Sequence, residues 1–507
     1  MADLNVYLTT FNCGRKPVNI DYFSHFLFDG LSKSNPLPPD LLVLSLQEIA
    51  PIAYGFLGGT LLTPYFTRFT QAVADAARNT FSGQNIFYHE PIVRNAGMTA
   101  IMVFAREEVW HRIQGVKSAG VGVGLWEMGN KGAVGVRFSV GGSGEDDETP
   151  FTFVAAHLAP TEPEWERRNQ DWKSICENLV FEPESQPNDT KNPHSETEPL
   201  LSKPPSSPPA QSSPSTLFQP RTYLFFLGDL NYRASDTPPI PGNPSLTWPQ
   251  PNITDPTDPH HYTHLLAHDQ LAREKAAGKT LHTLVEAPIT FPPTYKYSTP
   301  AQKRAGHSVQ TVQVRKADGR LNSVTRIVPS AAAGDAGGAA GGEGEGEDLW
   351  APHRTPSWCD RILYTSHPAA RPLEVGQYVP LPVQPTSDHQ PVVLSCAVSR
   401  GGSGMRQRRD GGGEEGEEVK VPFDGVRQDW KARRLAARKL EVLVGVMAFL
   451  GLTWEGRLVV LGRVGGVVGF GCFGWVVMED RGGGRVALFL GVLMAREDGF
   501  KKGGRTS

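Results

Sequence analysis

Cysteine is scarce in this sequence: five residues in 507 (Cys13, Cys176, Cys359, Cys396 and Cys472), odd in number, far apart and without a C-x-x-C pair. A disulfide framework or a zinc cluster is therefore not expected, and a reducing compartment fits better. A surplus of one charge is also missing. Fifty Lys+Arg stand against 53 Asp+Glu, a net charge of -3, without the basic excess of a protein that tracks a nucleic-acid backbone. The first ten residues alternate apolar and polar, with no basic region leading into a long apolar run, so no secretory signal is expected. With 39% hydrophobic and 20% charged residues, the chain as a whole fits neither a disordered protein nor a polytopic transporter.

What is abundant is glycine and proline, 54 and 42 residues, concentrated in a few segments. Residues 182–220 are dominated by Pro and Ser and residues 331–348 by Gly, Ala and Glu; both read as disordered insertions in a domain covering residues 1–400. Residues 401–425 read as a Gly-rich, charged linker. Residues 426–507 form a tail, first basic (Lys431, Arg433, Arg434, Arg438, Lys439) and then apolar over 442–454, 458–478 and 486–495. A membrane span needs about 20 apolar residues. Only the middle stretch approaches that length, and Arg463 interrupts it. The tail is expected to be a membrane span, an interfacial helix or a poorly ordered apolar end. Its Gly-Arg-Val repetitiveness (Arg457, Arg463, Arg481, Arg485) would also suit translated non-coding sequence.

Short runs rich in β-branched and aromatic residues, flanked by turn formers, predict strands over 4–10, 41–46, 100–104, 132–140, 151–157, 222–227, 361–364 and 391–398. Residues 66–79 and 162–179 carry the better helical patterns. Several strands end in polar residues, where sites are often carried. In chain order these are Asn12 in TFNCG, Gln47 and Glu48 after LLVLSL, GNKG (129–132), His157 after FTFVAA, and GDLNYR (228–233). PTYKY (293–297), PSWCDRIL (356–363) and SDHQPV (387–392) follow.

Phosphate-monoester hydrolysis needs neutralised phosphoryl oxygens, an aligned water and a stabilised leaving oxygen. Glu48 offers an anionic oxygen and Asn12 a neutral one, a sparse donor set that would leave room for water and substrate on a hard cation; each taken alone is equally a solvated loop residue or a turn former. Asp229 and Asn231 lie two apart after an apolar strand, so an extended backbone would project both from one face, although D-x-N is also common in turns. Asp388 and His389 are the residue types of a carboxylate that orients an imidazole, although adjacency does not prove contact. No base stands near Cys359 and no C-x₅-R signature exists, so a thiolate nucleophile is not supported.

In this combination and order, GNKG, GDLNYR, PTYKY, PSWCDRIL and SDHQPV resemble the inositol polyphosphate 5-phosphatases, a branch of the endonuclease/exonuclease/phosphatase superfamily. The likeness runs from about Asn5 to Val398 outside the two insertions. It implies an α/β fold of two packed mixed β-sheets flanked by helices, and a Mg²⁺-dependent attack of water on a 5-phosphate without a phosphoenzyme. It also implies roles for particular residues: Asn12 and Glu48 as metal ligands, Asp229 aligning the water, Asn231 positioning it, and His157 and His389 on the scissile phosphate, with Asp388 orienting His389. Asn130, Lys131, Arg233, Tyr295, Lys296 and Arg354 would bind substrate, with Arg233 and Arg361 open to a structural ion-pair role instead and Trp358 and Cys359 to packing. Ser298 departs from the family, which often has Asp there.

A single catalytic domain with a hydrophobic end is closest to the fungal tail-anchored phosphoinositide 5-phosphatases. That implies phosphatidylinositol 4,5-bisphosphate as substrate, a monomeric catalytic domain, a membrane surface as partner, no nucleic acid, and the cytosolic face of the endoplasmic reticulum, or else the cytoplasm. The alternatives are a soluble inositol phosphate 5-phosphatase, a nuclease of the same superfamily, and an inactive phosphoinositide-binding module.

Overall fold

The computed structural model describes residues 3–32, 36–142, 148–184, 215–219, 222–240, 248–315, 321–327, 349–365, 373–399, 422–423, 425–457, 473–479 and 485–491. Two sheets carry most of them. The first has the spatial order Leu373–Pro380 (β14), Val392–Val398 (β15), Leu4–Asn12 (β1), Leu41–Gln47 (β2), Thr99–Ala105 (β4) and Ile92–Ala96 (β3). The second runs Leu284–Glu286 (β10), Asp360–Thr365 (β13), Tyr223–Asp229 (β9), Glu148–His157 (β7), Gly132–Gly141 (β6), Ile113–Gly122 (β5) and Glu182–Pro183 (β8). Each is mixed: β1 pairs β2 in parallel and β15 antiparallel, and β9 pairs β7 in parallel and β13 antiparallel. Val309–Arg315 (β11) and Leu321–Ile327 (β12) form a separate hairpin.

The strands alternate with period two, so each sheet has one face toward the other sheet and one toward helices. Val6, Leu8, Val43, Val103, Val136, Phe138, Phe153, Phe225, Leu227 and Ile362 fill the space between the sheets. Outside the first sheet, Ile20–Phe26 (α1), Ile52–Leu57 (α2) and Thr63–Thr80 (α3) begin the helical cover, with Phe23, Phe69 and Val73 packed on Tyr7, Leu42 and Leu44. Glu107–Trp110 (α4) is a single turn. Outside the second sheet, Trp165–Asn178 (α5) buries Trp172 against Phe218 and Phe226, at ring separations of 6.1 and 5.2 Å. Gln270–Ala276 (α7) adds Leu271 to this cover, Tyr262–Leu266 (α6) packs against the cluster between the sheets, and Thr299–His307 (α8) packs Ala301 with Tyr297 and Trp350. Ser298 caps α8, its side chain accepting the Ala301 N–H at 3.1 Å, so the residue that departs from the family pattern holds a helix start.

Two expectations need correction. The Pro/Ser insertion is narrower than 182–220: Glu182–Pro183 belong to the sheet edge, Glu184 N donates to Val116 O, Phe181 bridges Ser215, and Leu217 and Phe218 are buried. The two apolar residues at the far end of a polar stretch are what return the chain to the core. The remainder of that insertion, residues 331–348 and nearly all of the 401–425 linker lie outside the described residues.

The tail is the second. The basic run and the apolar run after it are one helix, Trp430–Leu452 (α9), and it packs on the domain through Leu440 and Val444 against Phe56, Met98 and Met128. No described helix is long and apolar enough to cross a membrane. Most of the 458–478 and 486–495 stretches lies outside the described residues or in a hairpin, Phe473–Glu479 with Arg485–Gly491.

Candidate active site

Strand register assembles the site. On β9 the phase that sends Phe225 and Leu227 between the sheets reaches Asp229 at the strand end; on β7 the phase of Phe153 and Ala155 reaches His157. Register pairs His157 with Asp229, and Asp229 with Asp360 at the start of β13. Asn12 continues the phase of Val6 and Leu8 on β1. Four polar side chains thus occupy, at one end of the sandwich, positions that are apolar deeper in the core.

Asp229 is the centre. Its Oδ2 accepts the Asn12 amide at 2.8 Å and lies 3.1 Å from His157 Nε2 and 3.9 Å from His389 Nε2. Burial alone would raise its pKa, but His157, His389 and Lys131 hold the carboxyl well below the usual range, so it stays anionic. Lys131 Nζ reaches His157 Nε2 and stands 3.8 Å from Glu48 Oε1. Burial, then this ammonium, push the His157 pKa down and leave its imidazole neutral.

His389 has the opposite character. Burial works against its proton, but the carboxylates of Asp360 and Asp229 outweigh it and push the pKa up to about 9. Its orienting partner is Asp360, not the adjacent Asp388: Nδ1 lies 3.0 Å from Asp360 Oδ2, which also accepts the Thr294 hydroxyl at 2.8 Å. Asp388 instead pairs with Lys296 at 2.7 Å. The adjacent carboxylate is thus taken up by Lys296, while the ring is served from the start of β13. Asp360 and Thr294 had no assigned role from sequence. The signal was the place of Asp360 at the start of an apolar strand, inside a quoted motif, and it needed the partner strand to become meaningful.

Asn231 also departs from expectation. The strand ends at Asp229, and Asn231 adopts φ +57°, so the two side chains do not share an extended face. The Asn231 N–H donates to Asp229 Oδ1 at 3.1 Å and its amide to Leu158 O at 3.1 Å. Arg233 is buried beneath this turn, donating to Asn231 O at 3.0 Å and to Asn231 Oδ1, with its guanidinium 4.5 Å from the Tyr295 ring centroid. It holds Asn231 and Tyr295, and its Nη1 is buried without a hydrogen-bond partner among the described residues. Arg361 is structural as well, buried between Asp269 and Glu286. Trp358 is buried, its indole N–H donating to Phe291 O.

The three late motifs are laced together. Tyr295 N donates to Ser357 O at 3.1 Å, Tyr297 N to Asp388 O at 2.9 Å and Gln390 N to Thr294 O at 2.9 Å; the Tyr295 and His389 rings sit 4.4 Å apart. Lys296 and Arg354 are partly exposed cations, 25% and 28%, Arg354 also pairing with Glu162 at 2.8 Å. Asn130 carries a buried side-chain oxygen that accepts no hydrogen bond. All four described cysteines are buried, and burial raises each thiol pKa, so none is a thiolate nucleophile.

Glu48 follows β2 at φ +46° and is held by Arg15 at 2.7 Å. Lys131 and Arg15 draw its pKa down against the burial that would raise it. Asn12 Oδ1 accepts the Gly14 N–H at 3.0 Å. This donor set, an ionised carboxylate and an amide oxygen beside the anionic Asp229, suits a hard divalent cation rather than a soft one. A grouping of Asp229, Asp360 and His389 is also close enough to offer metal donors, but there His389 Nδ1 is already engaged with Asp360.

A profile of Endonuclease/Exonuclease/phosphatase family 2 matches residues 9–308 and 345–395. Among curated proteins, the chain is 26% identical over 414 residues to the mouse (Mus musculus) phosphatidylinositol 3,4,5-trisphosphate 5-phosphatase 1, covering 79% of this chain and 27% of that protein. It is 25% identical over 360 residues to the mouse type II inositol 1,4,5-trisphosphate 5-phosphatase, covering 70% and 26%. The chain thus spans about a quarter of the length of these relatives. Among solved structures, the inositol polyphosphate 5-phosphatase domain of a synaptojanin in complex with inositol (1,4)-bisphosphate and calcium ion is 21% identical, with 78% of this chain and 84% of that one covered and a TM-score of 0.48.

Proposed function

The chain belongs to Endonuclease/Exonuclease/phosphatase family 2, and from that membership and the geometry of the site we propose that it hydrolyses the 5-phosphate of phosphoinositides, chiefly phosphatidylinositol 4,5-bisphosphate. The observation that carries the reading is the convergence of Asn12, His157 and His389 on one Asp229 oxygen, with Lys131 beside it. A binding module needs cations for phosphate; it does not need a buried carboxylate held low in pKa between two imidazoles shifted in opposite directions.

Glu48 and Asn12 would hold Mg²⁺, which when bound neutralises charge on the phosphoryl oxygens. Asp229, ionised and fixed by Asn12 and His157, orients the attacking water and accepts a hydrogen bond from it. Asn231, its side-chain amide donating to Leu158 O and its carbonyl accepting from Arg233, positions the same water from the turn after Asp229. His389, protonated at neutral pH, donates from Nε2 to the phosphoryl group as negative charge develops, while Asp360 keeps Nδ1 occupied. Lys131 Nζ stands between His157 and Glu48, its pKa drawn down by burial and up by the Glu48 and Asp229 carboxylates. Tyr295, Lys296, Arg354 and Asn130 bind the ring and its remaining phosphate, the partly exposed Lys296 and Arg354 facing the 4-phosphate.

A lipid rather than a soluble head group is favoured by exposed apolar side chains near the site. Trp126, 53% exposed, lies four residues before Asn130, and α9 exposes Leu443 and Val446. Action at the cytosolic face of a membrane, that of the endoplasmic reticulum in the first instance, by a monomeric catalytic domain, is part of the same proposal. Phosphate release from short-chain phosphatidylinositol 4,5-bisphosphate and from inositol 1,4,5-trisphosphate, with Mg²⁺ or chelator, tests it on full-length wild type and Asp229→Ala. Metal-dependent release that Asp229→Ala abolishes is expected, faster from the lipid. No release from either substrate by folded wild type would overturn the reading.

A further inference from the structure

The carboxylate of Glu441, on α9, is buried 312 residues away in sequence from the backbone it serves. Its Oε1 accepts the Gly129 N–H at 2.7 Å, in the turn that carries Asn130 and Lys131. The neighbouring turn is bound in too: the Met98 N–H donates to Gly129 O at 2.8 Å. Gly97 and Gly129 approach so closely that a Cβ on Gly97 would collide with the Gly129 backbone, and Gly97 also has φ +58°. A turn fixed at both its N–H and its carbonyl has little freedom to move Lys131, two residues on.

The same helix grips the other half of the site. Arg438 bridges Glu441 Oε2 at 3.1 Å to the carbonyls of Phe56 and Leu57, which end α2, the helix that begins four residues after Glu48. Gly445 lets α9 lie directly on that end, since a Cβ there would stand 3.1 Å from Phe56 Cβ and Leu57 Cγ. Arg433 pairs with Glu127 on the near side of the Gly129 turn. One helix from outside the matched family region therefore holds both the Lys131 turn and the helix after Glu48, and those two side chains face each other at 3.8 Å.

We propose that α9 is a strut of the active site and that Glu441 is a positioning residue, setting the Lys131 turn against Glu48 and His157. The consequence for turnover rests on the phosphatase reading; the positioning itself does not. In the full chain, Glu441→Ala should lower kcat at least fivefold with KM for inositol 1,4,5-trisphosphate within twofold. Glu441→Gln, which keeps an oxygen for Gly129 N–H, should recover activity to within twofold of wild type. Lys439→Ala, exposed on the same helix, should change nothing. Hydrogen exchange of peptides spanning 122–131 should quicken in Glu441→Ala alone.

Full kcat in a folded Glu441→Ala protein, or equal loss in the Ala and Gln variants, would overturn the proposal. Should Glu441→Ala not fold, Arg438→Ala against Lys439→Ala decides: a selective kcat loss with faster exchange in 122–131 supports it, and none overturns it. If wild type itself releases no phosphate, the phosphatase reading fails, and exchange alone decides the positioning: quickening restricted to Glu441→Ala upholds it, and unchanged exchange sinks it.

Discussion

His389 Nδ1 lies 3.0 Å from Asp360 Oδ2, and its other ring nitrogen 3.9 Å from Asp229. Two carboxylates on neighbouring strands, cross-paired as Asp360 and Asp229, bracket one imidazole from opposite sides. That bracket explains both the orientation of the ring and its affinity for a proton.

Removing the Asp360 charge should therefore affect chemistry more than binding. Asp360→Asn is expected to lower kcat by about 100-fold or more, the scale of losing a well-placed proton donor, with KM little altered. A pH profile of kcat in the variant should show its alkaline limb displaced to lower pH. An unchanged limb would mean that Asp360 does not govern His389.

The pH dependence of wild type follows from the same pair. His389 is raised from its ordinary value of 6.5 to about 9 in the folded protein. Activity that needs the protonated ring should fall as pH rises through about 9. Its contribution to stability has the same sign: fully present below about 6.5, lost between there and about 9 as the folded-state proton leaves. Chemical denaturation across that range, with His389→Gln as the comparison, measures it.

Asp229 cannot be replaced by an isostere. Asp229→Asn keeps the shape but removes the charge that Asn12 and His157 are arranged around, and a loss of about 10³-fold in kcat is expected, within the range seen when a positioned acid–base group is deleted. Circular dichroism and the melting temperature establish that the variant is folded. Activity within tenfold of wild type would remove Asp229 from the mechanism.

The Pro/Ser segment carries buried residues at its far end, Leu217 and Phe218. Replacing residues 186–213 with a short Gly/Ser linker should change stability by less than about 1 kcal/mol, because loop-closure entropy varies slowly with length. Phe218→Ala should cost roughly 3–5 kcal/mol, since the ring is buried against Trp172. Urea denaturation of both variants compares them.

Much of the second sheet was legible from residue order. The runs ending in His157 and Asp229 were visible as apolar strands with polar ends, and α3 and α5 as helical patterns within a few residues of their true bounds. Strands β3, β5 and β14 were not, because β3 is short and half polar while glycines and exposed polar positions blur the alternation of β5 and β14. Lys131 stands out in GNKG, and the structure puts it against Glu48 and His157; Arg233, open from sequence to a ligand or a structural role, is buried under Asn231. The basic and apolar halves of the tail looked like separate features because composition changes within α9, whereas helical spacing places Arg438, Glu441 and Gly445 along one side.

Sequence by itself determined which residues are chemically equipped: the carboxylates, imidazoles and lysines at strand ends, and the glycines that let the turns between them close. Those are local properties, fixed by side-chain type and by the period-two alternation of a strand. Which carboxylate serves His389 was decided only by tertiary structure, because β13 pairs antiparallel with β9 and brings Asp360 across to the ring, while the adjacent Asp388 pairs with Lys296. The hold of Glu441 on Gly129 was decided in the same way: a contact across 312 residues has no local signature, and it exists only once α9 has packed on the domain.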